Sequence, residues 1–381
     1  MATQDPRMPL APTRRRFLAS ALLAAAAPLL ARATDPLEWK GYADAFVVDG
    51  LGGPGRASGK PGSGLDARDL ADVRASGIDA ANVTVGGVGS YANDHAEALR
   101  SIAFWDAQVA AHPDTLLKFS RFADLDAAAR SRRLALIYGF QDTTAFGEDL
   151  ARVERFHRLG VRVVQLTYNR RNLVGDGCLE SGNAGLSRFG HDLLERLDAH
   201  RMLVDLSHCG RRTTDEAIAR RSGVVAITHA GCAALADLPR NKPDATLRKL
   251  ADRGGVVGIY LMPYLRTAGQ PMAADVVAHI EHALTVCGED HVGIGTDNPI
   301  GAVEADAHYR AAFAKEIEKR RALGISAPGE RPDVYTFVPD LNTPRRFETL
   351  ASLLAARGHP DRVIAKVLGG NFRRLFEQAW G

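Results

Sequence analysis

The sequence predicts an α/β chain closed into a (β/α)8 TIM-type barrel. Three observations predict it: eight short apolar or β-branched runs, a polar residue or glycine turn following them, and longer stretches of helical periodicity in between. Strands that alternate with helices must run parallel, and eight such units close most simply into a barrel. A doubly wound open sheet is the alternative, but no glycine-rich dinucleotide turn follows the first run.

In chain order, the first element is not part of the barrel. Thr13-Arg14-Arg15-Arg16-Phe17-Leu18 leads into an Ala- and Leu-rich stretch to Leu30, then Ala31-Arg32-Ala33. A basic head, an apolar middle and a small-x-small exit read as a cleaved signal peptide over residues 1–33, and the paired arginines match the twin-arginine type, which exports folded proteins. The expected location is the periplasm or the exterior. A retained anchor is the competing reading, but the apolar run falls short of the roughly 20 residues that span a bilayer, and Pro28 interrupts it. Residues 34–381 are then one domain.

The eight runs are Phe46 to Leu51, Ala80 to Val85, Leu134 to Gln141, Val163 to Tyr168, Met202 to His208, Val224 to His229, Gly255 to Leu261 and Val292 to Asp297. Residues 187–200 carry apolar side chains at helical spacing with Ser187 as N-cap. Residues 301–345 form a charged, proline-containing insertion before a last helical region that ends at Trp380.

Composition bounds the function. With 46% hydrophobic and 24% charged residues in 381, the chain is neither disordered, collagenous nor a membrane bundle. Removing the five Arg and one Asp of residues 1–33 leaves 43 basic against 44 acidic side chains, and no basic patch argues for nucleic acid. Cys178, Cys209, Cys232 and Cys287 lie far apart, and spacing leaves their pairing open.

Barrel enzymes build their sites at the C-terminal ends of the strands. Here those ends read Leu51, Val85, Gln141, Tyr168, His208, His229, Leu261 and Asp297. His208 and His229 close consecutive strands, so their rings can share one metal; two hydrogen-bonded structural histidines are the alternative. Asp297 is either a ligand, the base that takes a proton from water, or a turn residue. Arg240 and Asn241 sit in the rigid loop Leu238-Pro-Arg-Asn-Lys-Pro-Asp244, where a guanidinium can clamp a substrate carboxylate. Tyr168 can donate to an oxyanion, and Asp176 or Cys178 in the loop after it can reach a metal.

These pieces together resemble the membrane (renal) dipeptidase family, peptidase family M19. The matching segments are Val204-Asp-Leu-Ser-His208, Thr228-His229, Leu238 to Asp244, Val292-Gly-Ile-Gly-Thr-Asp297 and Leu368-Gly-Gly-Asn-Phe372, in family order. The resemblance implies a metallo-dependent hydrolase barrel that cleaves dipeptides at two zinc ions, with His208 and His229 on one zinc, Asp297 on the other and Arg240 on the substrate carboxylate. The chain departs from that pattern at three strands. Where the family has Asp-Gly-His-x-Asp, this chain reads Asp49-Gly50-Leu51-Gly52-Gly53; the bridging glutamate falls on Gln141, and a substrate-polarising histidine on Tyr168. A neutral amide cannot bridge two dications as a carboxylate does.

The expectation is therefore one zinc on His208 and His229, completed by Asp297, Cys178 or water, with Gln141 a weaker candidate, acting on a small peptide or amide. A non-hydrolytic lyase, isomerase or tailoring enzyme on an amino-acid-like compound, or a binder that has lost catalysis, stays open. The expected partner is that small substrate, not nucleic acid or membrane; a homodimer is left open.

Overall fold

The computed structural model describes residues 38–57, 62–89 and 94–381. The signal peptide read in residues 1–33 lies outside them. The strands are β1 Val48–Asp49, β2 Gly52–Gly53, β3 Ala80–Thr84, β4 Leu116–Lys118, β5 Leu134–Phe140, β6 Val161–Gln165, β7 Leu203–Asp205, β8 Val225–Ala230, β9 Val256–Ile259, β10 Val292–Ile294 and β11 Asn298–Pro299. Between them run α1 Ala67–Ser76, α2 Asp94–Ala111, α3 Ala123–Ser131, α4 Ala151–Arg158, α5 Arg188–Ala199, α6 Arg211–Arg220, α7 Asp244–Asp252 and α8 Ala273–Cys287. After them come α9 Ala307–Ala322, α10 Arg346–Ala356, α11 Asp361–Ala365 and α12 Asn371–Trp380.

Eight strands pair in the order β1-β3-β5-β6-β7-β8-β9-β10, every pairing parallel. Gly50 N donates to Ile294 O at 2.9 Å and brings the first strand back to the last. All eight predicted runs are barrel strands. Two features were not predicted: β4 pairs with the first half of β5, and β2 with β11 makes a two-residue ribbon. The helix expected over 187–200 is α5, with the Ser187 side chain accepting from Gly190 N, and the insertion at 301–345 contains the sixteen-residue α9.

Side chains alternate along each strand, as pleating requires. Val48, Ala80, Ala135, Ile137, Val163, Leu203, Ala226 and Val256 pack in one cluster with Phe372, while Ala81, Leu136, Val164, Val204, Val225, Val257 and Ile294 pack in another with helical residues such as Leu193 and Leu247. Phe372 reaches the barrel because Gly50 and Gly293 leave it room: a Cβ on either would stand 2.7 and 2.6 Å from its ring. Asn371 anchors it by donating to Glu289 O and Val292 O, both at 2.8 Å. The Leu368 to Phe372 motif therefore packs the barrel.

Candidate active site

Neighbouring strands β7 and β8 deliver the two histidines to one point. His229 lies within β8 and His208 three residues beyond β7, and their Nε2 atoms face each other at 3.0 Å. The other ring nitrogen of each decides its tautomer. Asn169 Nδ2 donates to Ile325 O at 2.7 Å, which fixes its Oδ1 as the acceptor facing His208 Nδ1 at 2.6 Å. Thr228 Oγ1 spends its only proton on Asp205 Oδ2 at 2.6 Å, so at 2.8 Å it accepts from His229 Nδ1.

Both Nδ1 atoms therefore carry the proton of a neutral imidazole, and both Nε2 atoms present lone pairs to each other. Burial holds both rings neutral, driving their pKa values well below 6.5, with Arg240 and Lys242 adding to it at each ring. Two facing lone pairs repel unless a cation lies between them. A metal ion satisfies both, and the carboxylate-to-threonine-to-histidine chain behind His229 is the support that metal-binding imidazoles have. Asp205 accepts four hydrogen bonds, from the N and Oγ of Ser207 and of Thr228. Burial raises its pKa against those bonds.

At the positions expected to hold a second metal, Leu51 and Gly53 carry no ligand atom, and Gln141 is a neutral amide whose Nε2 donates to Thr84 Oγ1 at 2.9 Å. Leu51, Gly53, Thr84, Gln141 and Asp297 instead line a cavity of about 230 Å³. Among the described residues no three His, Cys, Asp or Glu side chains are grouped to hold an ion, so the histidine pair stands without a third protein ligand of those types.

Asp297 follows β10 with φ of 56°, left-handed backbone that costs a non-glycine residue energy. Two contacts hold it there: its N donates to Leu51 O at 2.8 Å, and Thr296 beside it donates through Oγ1 to Asp49 Oδ2 at 2.6 Å. The Asp49 and Thr296 pair repeats, at the first and last strands, the Asp205 and Thr228 pair beneath His229. Burial pushes the Asp297 carboxyl up to about 6, opposed by Arg240 and Arg320.

Arg240 is 1% exposed; its Nη1 donates to Ser207 O at 2.7 Å, while its buried Nη2 has no partner among the described residues. Tyr260 and Tyr264 flank the guanidinium at 5.6 and 5.8 Å. Its neighbour Asn241 is a correction to the sequence reading. Asn241 Nδ2 donates to Ala236 O and Tyr264 O, and its Oδ1 accepts from Tyr260, so both amide protons and one oxygen lone pair brace the loop. Cys178 is also turned away from the expected role: its Sγ donates to Asn169 Oδ1 at 3.3 Å, and burial raises its pKa, which opposes the thiolate a metal needs. Asp176 is committed to Arg171 and the Ala184 amide. All four cysteines are free.

Tyr168 stacks on His208 with ring centroids 4.2 Å apart. Its hydroxyl accepts from Arg320 Nη2 at 3.3 Å. Arg320 and its partner Glu330 were missed in the sequence, because nothing in a charged insertion marks two residues that fold back over a barrel mouth. The only signal was the insertion itself.

This arrangement defines a class: a TIM barrel of the metallo-dependent hydrolase type, with an imidazole pair and a carboxylate at the C-terminal face. Comparison with known proteins narrows it. The model of the membrane dipeptidase family, peptidase family M19, matches residues 65–326, and the chain belongs to that family. An amidohydrolase from Pseudomonas aeruginosa is 31% identical, with 89% of this chain and 98% of that one covered at a TM-score of 0.76. Dipeptidase verJ of Clonostachys rogersoniana is 34% identical over 44% of each chain. An uncharacterised dipeptidase of Schizosaccharomyces pombe is 32% identical over 56% of this chain and 55% of its own. The chain thus spans about half the length of these two curated relatives.

Proposed function

We propose that this protein is an exported hydrolase that cleaves a dipeptide or similarly small amide with one metal ion, expected to be zinc. The observation that carries the reading is the pair of neutral imidazoles whose lone pairs meet at 3.0 Å. Family membership and the dipeptidases among the relatives support the substrate class. Bound there, zinc would bring the pKa of a water to about 7 and polarise a carbonyl.

The chain's own groups supply the rest. Arg240 turns its free Nη2 to the substrate carboxylate, where a buried guanidinium is matched by charge and geometry. Tyr168, already accepting from Arg320, keeps its own O–H proton to donate to the oxyanion that forms as the amide carbonyl is attacked. Asp297 has no donor on its carboxylate among the described hydrogen bonds and takes the proton from the attacking water, later passing it to the leaving amine.

The test is a panel of free dipeptides, with N-acetyl and C-amide forms, offered to zinc-loaded and metal-stripped protein. Cleavage of a free dipeptide by the loaded form alone is expected. Conversion of an amino-acid-like compound without peptide-bond cleavage would replace this reading with a lyase or isomerase.

A further inference from the structure

The last turn of α9 and the segment after it touch three consecutive residues of the loop that follows β6. Arg320 Nη2 reaches the Tyr168 hydroxyl at 3.3 Å, Ile325 O accepts from Asn169 at 2.7 Å, and Leu323 O accepts from Arg170 at 3.2 Å. Arg320 is itself fixed. It meets Glu330 through two bonds, Nε to Oε2 at 2.7 Å and Nη2 to Oε1 at 2.9 Å, and Tyr264 donates to the same Oε1 at 2.5 Å. Glu330 is 4% exposed, and Arg321 donates to its backbone carbonyl.

A guanidinium held as a fork cannot rotate to follow a moving partner. The bond it gives to Tyr168 occupies an oxygen lone pair and leaves the phenol proton to be directed elsewhere. We propose that Arg320 is a positioning residue: clamped by Glu330, it fixes the Tyr168 hydroxyl as a hydrogen-bond donor at the barrel mouth. This rests on the hydrolase reading above, in which Tyr168 meets the oxyanion, and it adds a residue of the insertion to the working parts of the site.

A double-mutant cycle tests it. Arg320→Met is expected to lower kcat for a cleaved dipeptide at least tenfold with KM within twofold, because Arg240 still holds the carboxylate. In a Tyr168→Phe background the same change is expected to alter kcat less than twofold. A full effect in both backgrounds, or a loss confined to KM, overturns the proposal. Since Arg320→Met leaves a buried carboxylate unpaired, Arg320→Met/Glu330→Gln carries the same comparison in a charge-neutral form. A readout free of turnover separates this proposal from the hydrolase reading. With 3-fluorotyrosine at position 168, the ¹⁹F resonance is expected to move on Arg320→Met/Glu330→Gln, and an unmoved resonance overturns the clamp. If no dipeptide is cleaved while the resonance does move, the hydrolase reading fails and the clamp stands.

Discussion

The chemistry at the residue scale depends on which ring nitrogen carries a proton. Asp205 sets this for His229 through Thr228, at 2.6 and 2.8 Å. Asp205→Asn would put an amide where four donors converge, reverse one of those bonds and free the imidazole to change tautomer. Loss of such a supporting group commonly weakens metal binding about 10- to 100-fold, and that is the fall expected in a competitive chelator titration, with the fold retained by circular dichroism. With Asp297 as the proposed base, the pH profile follows its carboxyl, which burial pushes up to about 6, because only the ionised form can take a proton from water. Log kcat/KM is therefore expected to rise with pH up to about 6 and then level. Asp297→Asn should abolish that limb and cost about 10²- to 10⁴-fold in rate; an acid limb that survives the substitution removes Asp297 from the role of base.

At the scale of elements, the barrel was legible because its strands lie in recurring apolar runs separated by helical stretches, and apolar periodicity is what a sequence displays best. The ends were legible to within about three residues: the run read to His208 has its last strand residue at Asp205, while His229 falls inside β8. The pieces that escaped were β2 and β11, too short to show alternation, and β4, which pairs only at its flank. The structure brings together His208 and His229, which residue type alone had singled out. Asn241 and Cys178 read poorly, because their types fit a site while their bonds serve the loops. Close strand packing makes a further prediction. A Cβ at Gly295 would lie 1.9 Å from Thr228 O, and at Gly258 2.0 Å from the same oxygen. Neither neighbour is a flexible side-chain tip, so Gly295→Ala must displace the backbone beside His229. It is expected to cost about 1–3 kcal/mol in urea unfolding and to weaken metal binding as well.

At the scale of the whole molecule, stability and function separate along the barrel. Phe372 and Asn371 pack into the barrel core, while the site's groups gather at the C-terminal ends of the strands, closed over by Arg320 and Glu330 from the insertion. A metal held only by the folded chain adds stability by mass action, about 2.7 kcal/mol at a free concentration one hundred times Kd. Zinc is accordingly expected to raise the thermal midpoint of the wild-type protein and to leave that of His208→Ala/His229→Ala unchanged.

The central claim is a single metal between two imidazoles, and native mass spectrometry of the zinc-loaded protein measures it most directly. The account predicts one zinc per chain in the wild type and none in His208→Ala/His229→Ala. Two ions per chain, or one ion retained after both histidines are replaced, would contradict it.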